Sequence, residues 1–284
     1  MQIQIGNVSV HHVLGESFRA DGGSHFGLVP KVLWEKVAEA DEFNRVDMVF
    51  NGWLIESGGR RILVDTGHGT KLDDKFKRNF AVEEEDRLLA SLAAVGVLPE
   101  DVDIVINTHL HADHCGGNTR WQSDQAVATF PNAEYWVQRL EYADALFPNE
   151  RTRATYLAEN FRPLETSGQL RLLYGDTRVT PEVRCVVTPG HTRAHQCVVI
   201  ESEGQAAICL GDLAPWAVHF ERLAWVPAYD VEPLETIESK RRVRDWALER
   251  KAVLLFDHDP RLPAGVLHEE NGRFTVTTLP QSLP

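Results

Sequence analysis

Short apolar runs recur along the chain, and many of them end in Gly, Asp or His. The opening Met1-Gln-Ile-Gln-Ile-Gly alternates with a period of two, as a half-buried strand does. "DMVFNGWLIESGGRRILVDTGHG" reads as two strands joined at a Ser-Gly-Gly turn. "EEEDRLLASLAAVGV" sets Leu88, Leu89, Leu92 and Val95 at helical spacing, and acidic residues at its start suit the helix dipole. "VDIVINTH" follows as a buried strand. Farther on, "RCVVTPGHTRAHQCVVIES" and "QAAICLGD" supply more strands, "EPLETIESKRRVRDWALER" a helix, and "AVLLFDHDP" a last strand. Strands interleaved with helices predict an α/β protein whose sheets are covered by helices. No Pro/Gly/Ser linker divides the chain, so one domain spanning residues 1–284 is expected. Residues 11–47, irregular and rich in glycine and aromatics, predict a cap over a site rather than a core element.

Composition narrows the class. The 284 residues suffice for a substantial core, and 43% hydrophobic with 25% charged residues is the balance of a globular protein. No apolar run approaches the ~18 residues of a membrane span, so no membrane partner is expected. A formal charge of −13 argues against a nucleic-acid partner held through its phosphates. The densest basic run, Lys240, Arg241 and Arg242 with Arg244 nearby, reads as a solvated helix face. The four cysteines form no CxxC pair, and the N-terminus lacks the regions of a signal peptide. A reduced, cytoplasmic protein with a small-molecule partner is the expectation, and a homodimer is left open.

Chemistry is concentrated in "THLHADHCGG". His109, His111, Asp113 and His114 fall within six positions, and the glycines at 116 and 117 permit a tight turn. Imidazole and carboxylate suit zinc or a similar first-row ion. Four donors so close in the chain cannot easily converge on one ion. Two ions sharing the loop is the natural solution, His109 and His111 on one and Asp113 and His114 on the other. Other strands end in further donors: His191 in "VVTPGHT", Asp212 in "AICLGDL", and Asp257 and His258 in "VLLFDHDP".

This series, HxHxDH followed by a TPGHT histidine, a GD and a late strand-end histidine, resembles the metallo-β-lactamase superfamily. The resemblance runs from about residue 50 to 260. It implies a four-layer αβ/βα sandwich, two mixed β-sheets face to face with helices outside and the site along one edge. It also implies one ion held by His109, His111 and His191, a second by Asp113, His114 and His258, and Asp212 bridging them. Two divalent ions, Zn2+ before Fe, Mn or Co, are the implied cofactors. Asp65, in the Asp-Thr-Gly turn, would orient a ligand histidine, and His195 would be structural or lie just behind the ligands. His68 and His25 are expected to be surface or cap histidines. Catalysis would be hydrolysis by a hydroxide generated between the ions, with no protein nucleophile. Asp113 is the expected proton acceptor and donor.

"DGGSHFGLVPKVLWEK", "GDLAPWAVHF" and the stretch from "WVPAYDVEP" to "LLFDHDP" are similar to a narrower branch, which holds quorum-quenching N-acyl-homoserine lactonases and methyl-parathion-hydrolase-like enzymes. That likeness implies opening of N-acyl-homoserine lactones or related lactones. It also implies an apolar substrate pocket with Phe18, Phe26, Leu28, Trp34, Trp216 and Trp225 as candidate walls. The well-studied lactonases carry a tyrosine three residues after the bridging aspartate, whereas this chain has Pro215 followed by Trp216. His219 is the candidate polar substitute. Hydrolysis of organophosphates or aryl esters is the alternative within the branch. A mononuclear-iron oxygenase resembling persulfide dioxygenases is the alternative outside it. Nuclease, exported β-lactamase and glyoxalase-II-like readings rank lower. They would call for a basic channel, a signal peptide and a basic glutathione site respectively, and none of these is seen in the sequence.

Overall fold

The computed structural model describes residues 1–83 and 87–279. Two seven-stranded sheets follow one another along the chain, with a small separate hairpin of Thr119–Gln122 and Gln125–Ala128. The first sheet orders its strands as Gln2–Ile5, Val8–Asp21, Arg45–Ser57, Arg60–Val64, Ile104–Ile106, Glu134–Gln138 and Leu170–Leu173. Its early strands pair antiparallel, and those from Arg60–Val64 onward pair parallel. The second sheet runs Thr177–Arg178, Val183–Val187, Gln196–Ser202, Gln205–Cys209, Val253–Leu255, Ala264–Glu270 and Arg273–Thr278. All its pairs are antiparallel except Gln205–Cys209 with Val253–Leu255, the crossover carrying the long helix Pro233–Arg250.

Alternation along the strands builds the layers. Ile62, Val64, Ile104 and Ile106 of the first sheet meet Val198, Ile200, Val253 and Leu255 of the second in one buried cluster. Their neighbours Leu63 and Val105 face the other way, onto Leu88 and Leu92 of the helix Arg87–Ala94. Leu254 likewise turns outward onto Val243 and Ala247 of the long helix. Period-two strands can do this only between two other layers, and the result is helix, sheet, sheet, helix. Each buried Leu or Val contributes about 1.5–3 kcal/mol, so the double-sided strands hold most of the stability.

The Ser57 to Arg60 hairpin turns on Gly58 and Gly59, both at positive φ (58° and 72°), a backbone that favours glycine. Val95 lies just past its helix and is 40% exposed, and positions 84–86 of the expected acidic helix start lie outside the described residues. All four cysteines are free and buried. No helix among the described residues is long and apolar enough to cross a membrane.

Two expectations change. Residues 11–21 are not irregular: they belong to the 14-residue strand Val8–Asp21, whose pairing shifts register between Leu14 and Ser17. That break in the alternation disguises the strand. Lys240 is not on a solvated face. Its side chain is buried, and Nζ donates to the carbonyls of His219 (3.1 Å) and Trp225 (2.8 Å). Carbonyl dipoles replace water around the ammonium, and burial lowers its pKa to about 7.

Candidate metal centre

The donors collect where strands of both sheets end along one edge. Ile104–Ile106 leads into the turn of His109 and His111 and the short helix Ala112–Cys115. Val183–Val187 leads to His191, Gln205–Cys209 to Asp212, and Val253–Leu255 to His258. Two tight passages depend on glycine. A Cβ at Gly116 would come within 2.1 Å of the His68 carbonyl oxygen. One at Gly211, where φ is +53°, would meet His195 Nε2 at 2.7 Å.

Two donor groups face the edge, and a third, Asp65, His114 and Asp257, uses the outward nitrogen of His114. The donor atoms of His109, His111 and His191 lie within 4.8 Å of one another, as do those of Asp113, His114, Asp212 and His258. His191 Nε2 is 3.1 Å from His109 Nε2 and 3.0 Å from His111 Nδ1, and His258 Nε2 is 2.9 Å from His114 Nε2. Asp212 reaches both groups: Oδ2 is 3.3 Å from His191 Nε2, and Oδ1 is 3.4 Å from His258 Nε2 and 3.5 Å from His114 Nε2. Asp113 Oδ2 completes the second group at 3.6 Å from His258 Nε2 and 3.9 Å from His114 Nε2. Ligand atoms on a tetrahedral zinc stand about 3.3 Å apart, so these spacings suit a shared cation.

Hydrogen bonding on the far side of four of the five rings strengthens that case. His114 Nδ1 donates to Asp65 Oδ2 (2.9 Å), His191 Nδ1 to Asp230 Oδ1 (2.9 Å) and His258 Nδ1 to the Val49 carbonyl (3.0 Å). Thr108 Oγ1 gives its proton to Asp65 (2.6 Å), so it accepts from His109 Nδ1 at 3.0 Å. In each of these neutral imidazoles the N–H is thereby used outward, and the nitrogen facing the site carries a bare lone pair. Bare lone pairs about 3 Å apart repel unless a cation stands among them. Asp212 Oδ1, buried, has no hydrogen-bond partner among the described residues. The donor set fits metal ions.

Protonation follows the same logic. Burial disfavours charge on every ring and, with the neighbouring histidines, holds His109 well below its ordinary pKa. It also takes His111 down to about 3. At His114 burial is outweighed by Asp212, Asp113 and Asp65, and at His191 by Asp212 and Asp230, so both are raised. Asp212 and Asp113 are both lowered, against burial, by the surrounding imidazoles. Without a cation, the carboxylates recruit protons onto His114 and His191.

Sequence reasoning named the seven donors and Asp65 but missed much that surrounds them. Asp230, steadied by Thr236 Oγ1 at 2.6 Å, is 39 residues from the His191 it orients. Buried Glu141 accepts from Leu110 N (3.0 Å) and Tyr156 OH (2.9 Å), and the Tyr156 ring packs 5.0 Å from His111. Asp230 and Glu141 resemble ordinary strand-end or helix-start residues in sequence. Asp257, visible in sequence as a strand-end donor beside His258, is buried 3.9 Å from His114 Nδ1, its pKa driven well up by burial and by Asp65. His195 belongs to neither donor group: Nδ1 meets Thr188 Oγ1 (2.9 Å), and its ring lies 5.4 Å from His109.

Of the two places expected for His68 and His25, surface or cap, the surface one fails. His68 is 4% exposed, held by Glu16 through its backbone N–H (2.7 Å) and Nδ1 (2.9 Å). His25 is fully buried, its Nδ1 3.3 Å from Tyr229 OH. Neither is a surface residue, because the strand Val8–Asp21 and the segment after Asp212 close over them. His219 is also buried, stacked on Phe26, with Nε2 3.1 Å from the His25 carbonyl. Phe18, Phe26, Trp34, Trp216 and Trp225 pack into one cluster. Leu28 does not join it. Gly27, at φ +59° and pressed against the Val226 carbonyl, turns the chain outward and leaves Leu28 fully exposed. The cavity of about 270 Å³ that borders His111 is lined instead by Ser24, Arg151, Thr152, Thr155, Ala228 and Tyr229.

The metallo-beta-lactamase superfamily model matches residues 50–267. An N-acyl homoserine lactonase of Bacillus cereus is 31% identical over 218 residues, which cover 73% of this chain and 80% of the relative. A probable metal-dependent hydrolase from Staphylococcus aureus superposes with a TM-score of 0.90 at 33% identity, over 99% of this chain and 100% of that one. A dizinc quorum-quenching lactonase superposes at 0.83 over 100% and 98%. At 19% identity that match speaks to the fold alone.

Proposed function

The chain belongs to the metallo-β-lactamase superfamily, and from that premise we propose that it is a two-metal hydrolase of carboxylic esters, with lactones, including N-acyl-homoserine lactones, as its main substrate class. The observation that carries this reading is Asp212, one buried carboxylate with an oxygen turned to each donor group. In this assignment His109, His111 and His191 would hold one ion and Asp113, His114 and His258 the other, with Asp212 available to both. A set of imidazole and carboxylate without thiolate suits zinc, and admits iron, manganese or cobalt. Two such ions, when bound, lower the pKa of a water and polarise a carbonyl oxygen.

The protein's own part is orientation and proton movement. Asp65, Asp230 and the Val49 carbonyl fix the tautomers of His114, His191 and His258, so the ligand nitrogens are preset before anything binds. Glu141 and Tyr156 brace the turn that carries His111. Asp113, the half-open carboxylate of the second group, takes the proton of the attacking water.

The bacillus relative is a lactonase by name, and it supports the substrate class. Pro215 supports a second reading, hydrolysis of aryl esters or organophosphates. The position where the studied lactonases use tyrosine here offers its carbonyl to His258 N (3.3 Å), bracing a ligand. Metal-loaded protein assayed on acyl-homoserine lactones, simple lactones, aryl esters and phosphotriesters separates the two. Turnover led by lactones upholds the first reading, and turnover led by aryl esters or phosphotriesters replaces it with the second. One iron per chain with oxygen uptake overturns both.

A further inference from the structure

Glu16 sits where the strand Val8–Asp21 loses its regular pairing, between Leu14 and Ser17, and its carboxylate is carried inward to 1% exposure. A buried carboxylate is costly unless a cationic or donor group meets it. His68 meets it twice, through the backbone N–H at 2.7 Å and through Nδ1 at 2.9 Å. Room for the contact comes from Gly67, at φ +67°, where a Cβ would lie 2.8–2.9 Å from both carboxylate oxygens. A register break and a left-handed glycine thus serve one pair.

With Nδ1–H committed to Glu16, the lone pair of His68 is on Nε2. The ring is clasped between Phe18 (4.8 Å, edge-on) and Phe76 (5.2 Å). Phe18 also stands edge-on to the candidate ligand His258, at 5.7 Å. The His68 backbone lies against Gly116, directly after the turn of Asp113 and His114, and Gly117 N bonds to the Gly67 carbonyl (3.0 Å). An imidazole backed by a carboxylate, with a lone pair on its other nitrogen, is the arrangement of a general acid–base pair.

We propose that Glu16 and His68 form a proton-carrying pair at the edge of the candidate metal centre, relaying the proton of the attacking water to the leaving oxygen of the substrate. The proposal rests on the hydrolase reading above. The water oxygen bonds to the carbonyl carbon and one water proton passes to Asp113. That proton moves to His68 Nε2, where Glu16 stabilises the imidazolium. The carbon–oxygen bond then breaks with its electron pair on the leaving oxygen, which takes the proton from His68. Products are an acid and an alcohol, and Asp113 and His68 regain their starting states. A carboxylate that also serves as a ligand is a weak base, so a separate carrier keeps Asp113 available for its ion.

Leaving-group dependence tests this. Nitrophenyl esters release an oxygen that needs no proton, whereas lactones and alkyl esters release an alkoxide that does. In metal-loaded His68→Gln, kcat on lactones and alkyl esters should fall about 100-fold, with nitrophenyl esters slowed less than about threefold. Metal content and the circular dichroism spectrum should match wild type. Glu16→Gln, which keeps a hydrogen-bond acceptor but not the charge, should show the same bias at about tenfold. Equal slowing of both substrate kinds, or no slowing in either variant, overturns the proposal. Wild-type protein with two ions but no turnover on any ester overturns the hydrolase reading itself and the relay with it.

Discussion

The candidate metal edge and the aromatic cluster of the expected cap lie side by side, yet they are built on opposite principles. At the edge, residues as far apart as Asp113 and His258 are brought within 4.8 Å, and the outward nitrogens of His114, His191 and His258 each have an acceptor. In the cap, Phe26, Trp34, Trp216 and Trp225 pack by shape. Polar atoms there are left over among the described residues, His25 Nε2, His219 Nδ1 and Trp216 Nε1, whereas the unpartnered Asp212 Oδ1 of the edge faces the donor histidines. The edge is specified by hydrogen bonds and charge, the cap by area buried. Substitutions should therefore damage the edge through metal and rate, and the cap through stability.

The largest effect is expected at the shared ligand. Asp212→Ala should drop hydrolysis below detection and metal content below two per chain, with the fold intact by circular dichroism. Full activity would dissolve the distinction between edge and cap. Next in size is a cap truncation. Phe26→Ala should lower unfolding stability by about 3–5 kcal/mol in chemical denaturation while leaving metal stoichiometry unchanged. Loss of metal instead would mean the cap is part of the centre.

Asp65→Asn should weaken metal binding about 10–100-fold, because His114 loses its charged acceptor but keeps its place. Proton competition gives a graded test of the same edge. His114 and His191 are raised above the ordinary histidine pKa in the metal-free protein, so they still carry protons where a free histidine has lost them. Metal must displace those protons. Affinity should rise with pH and fall as pH drops, by about tenfold per unit for each proton displaced, measured by competition with a chelator. A pH-independent affinity would contradict the assignment. At the small end, Leu28→Ser should change stability by no more than about 0.5 kcal/mol, since the side chain is already in water.

The same contrast explains what was legible in the sequence. Ile104–Ile106 and Val253–Leu255 are too short to show periodicity, but their donors give them away, and crowded histidines have few ordinary explanations. Asp230 and Glu16 were hidden because each has an ordinary local reading, a polar residue before a helix and a polar residue in a strand. Their partners lie 39 and 52 residues away. Lys240 was hidden within a charged run whose next members, Arg241 and Arg242, do face solvent. Cap aromatics were ambiguous for a different reason: a wall of a pocket and a packed core call for the same residues. Leu28 and Phe26 differ in fate through the left-handed turn at Gly27, which hydrophobicity does not report.

The most direct test of the central claim is anomalous diffraction from crystals of zinc-loaded protein, recorded on both sides of the zinc edge. The account predicts two peaks about 3.5–4 Å apart. One should lie among His109, His111 and His191 and the other among Asp113, His114 and His258, with Asp212 between them. A single fully occupied peak, or two peaks of which neither touches Asp212, would contradict it.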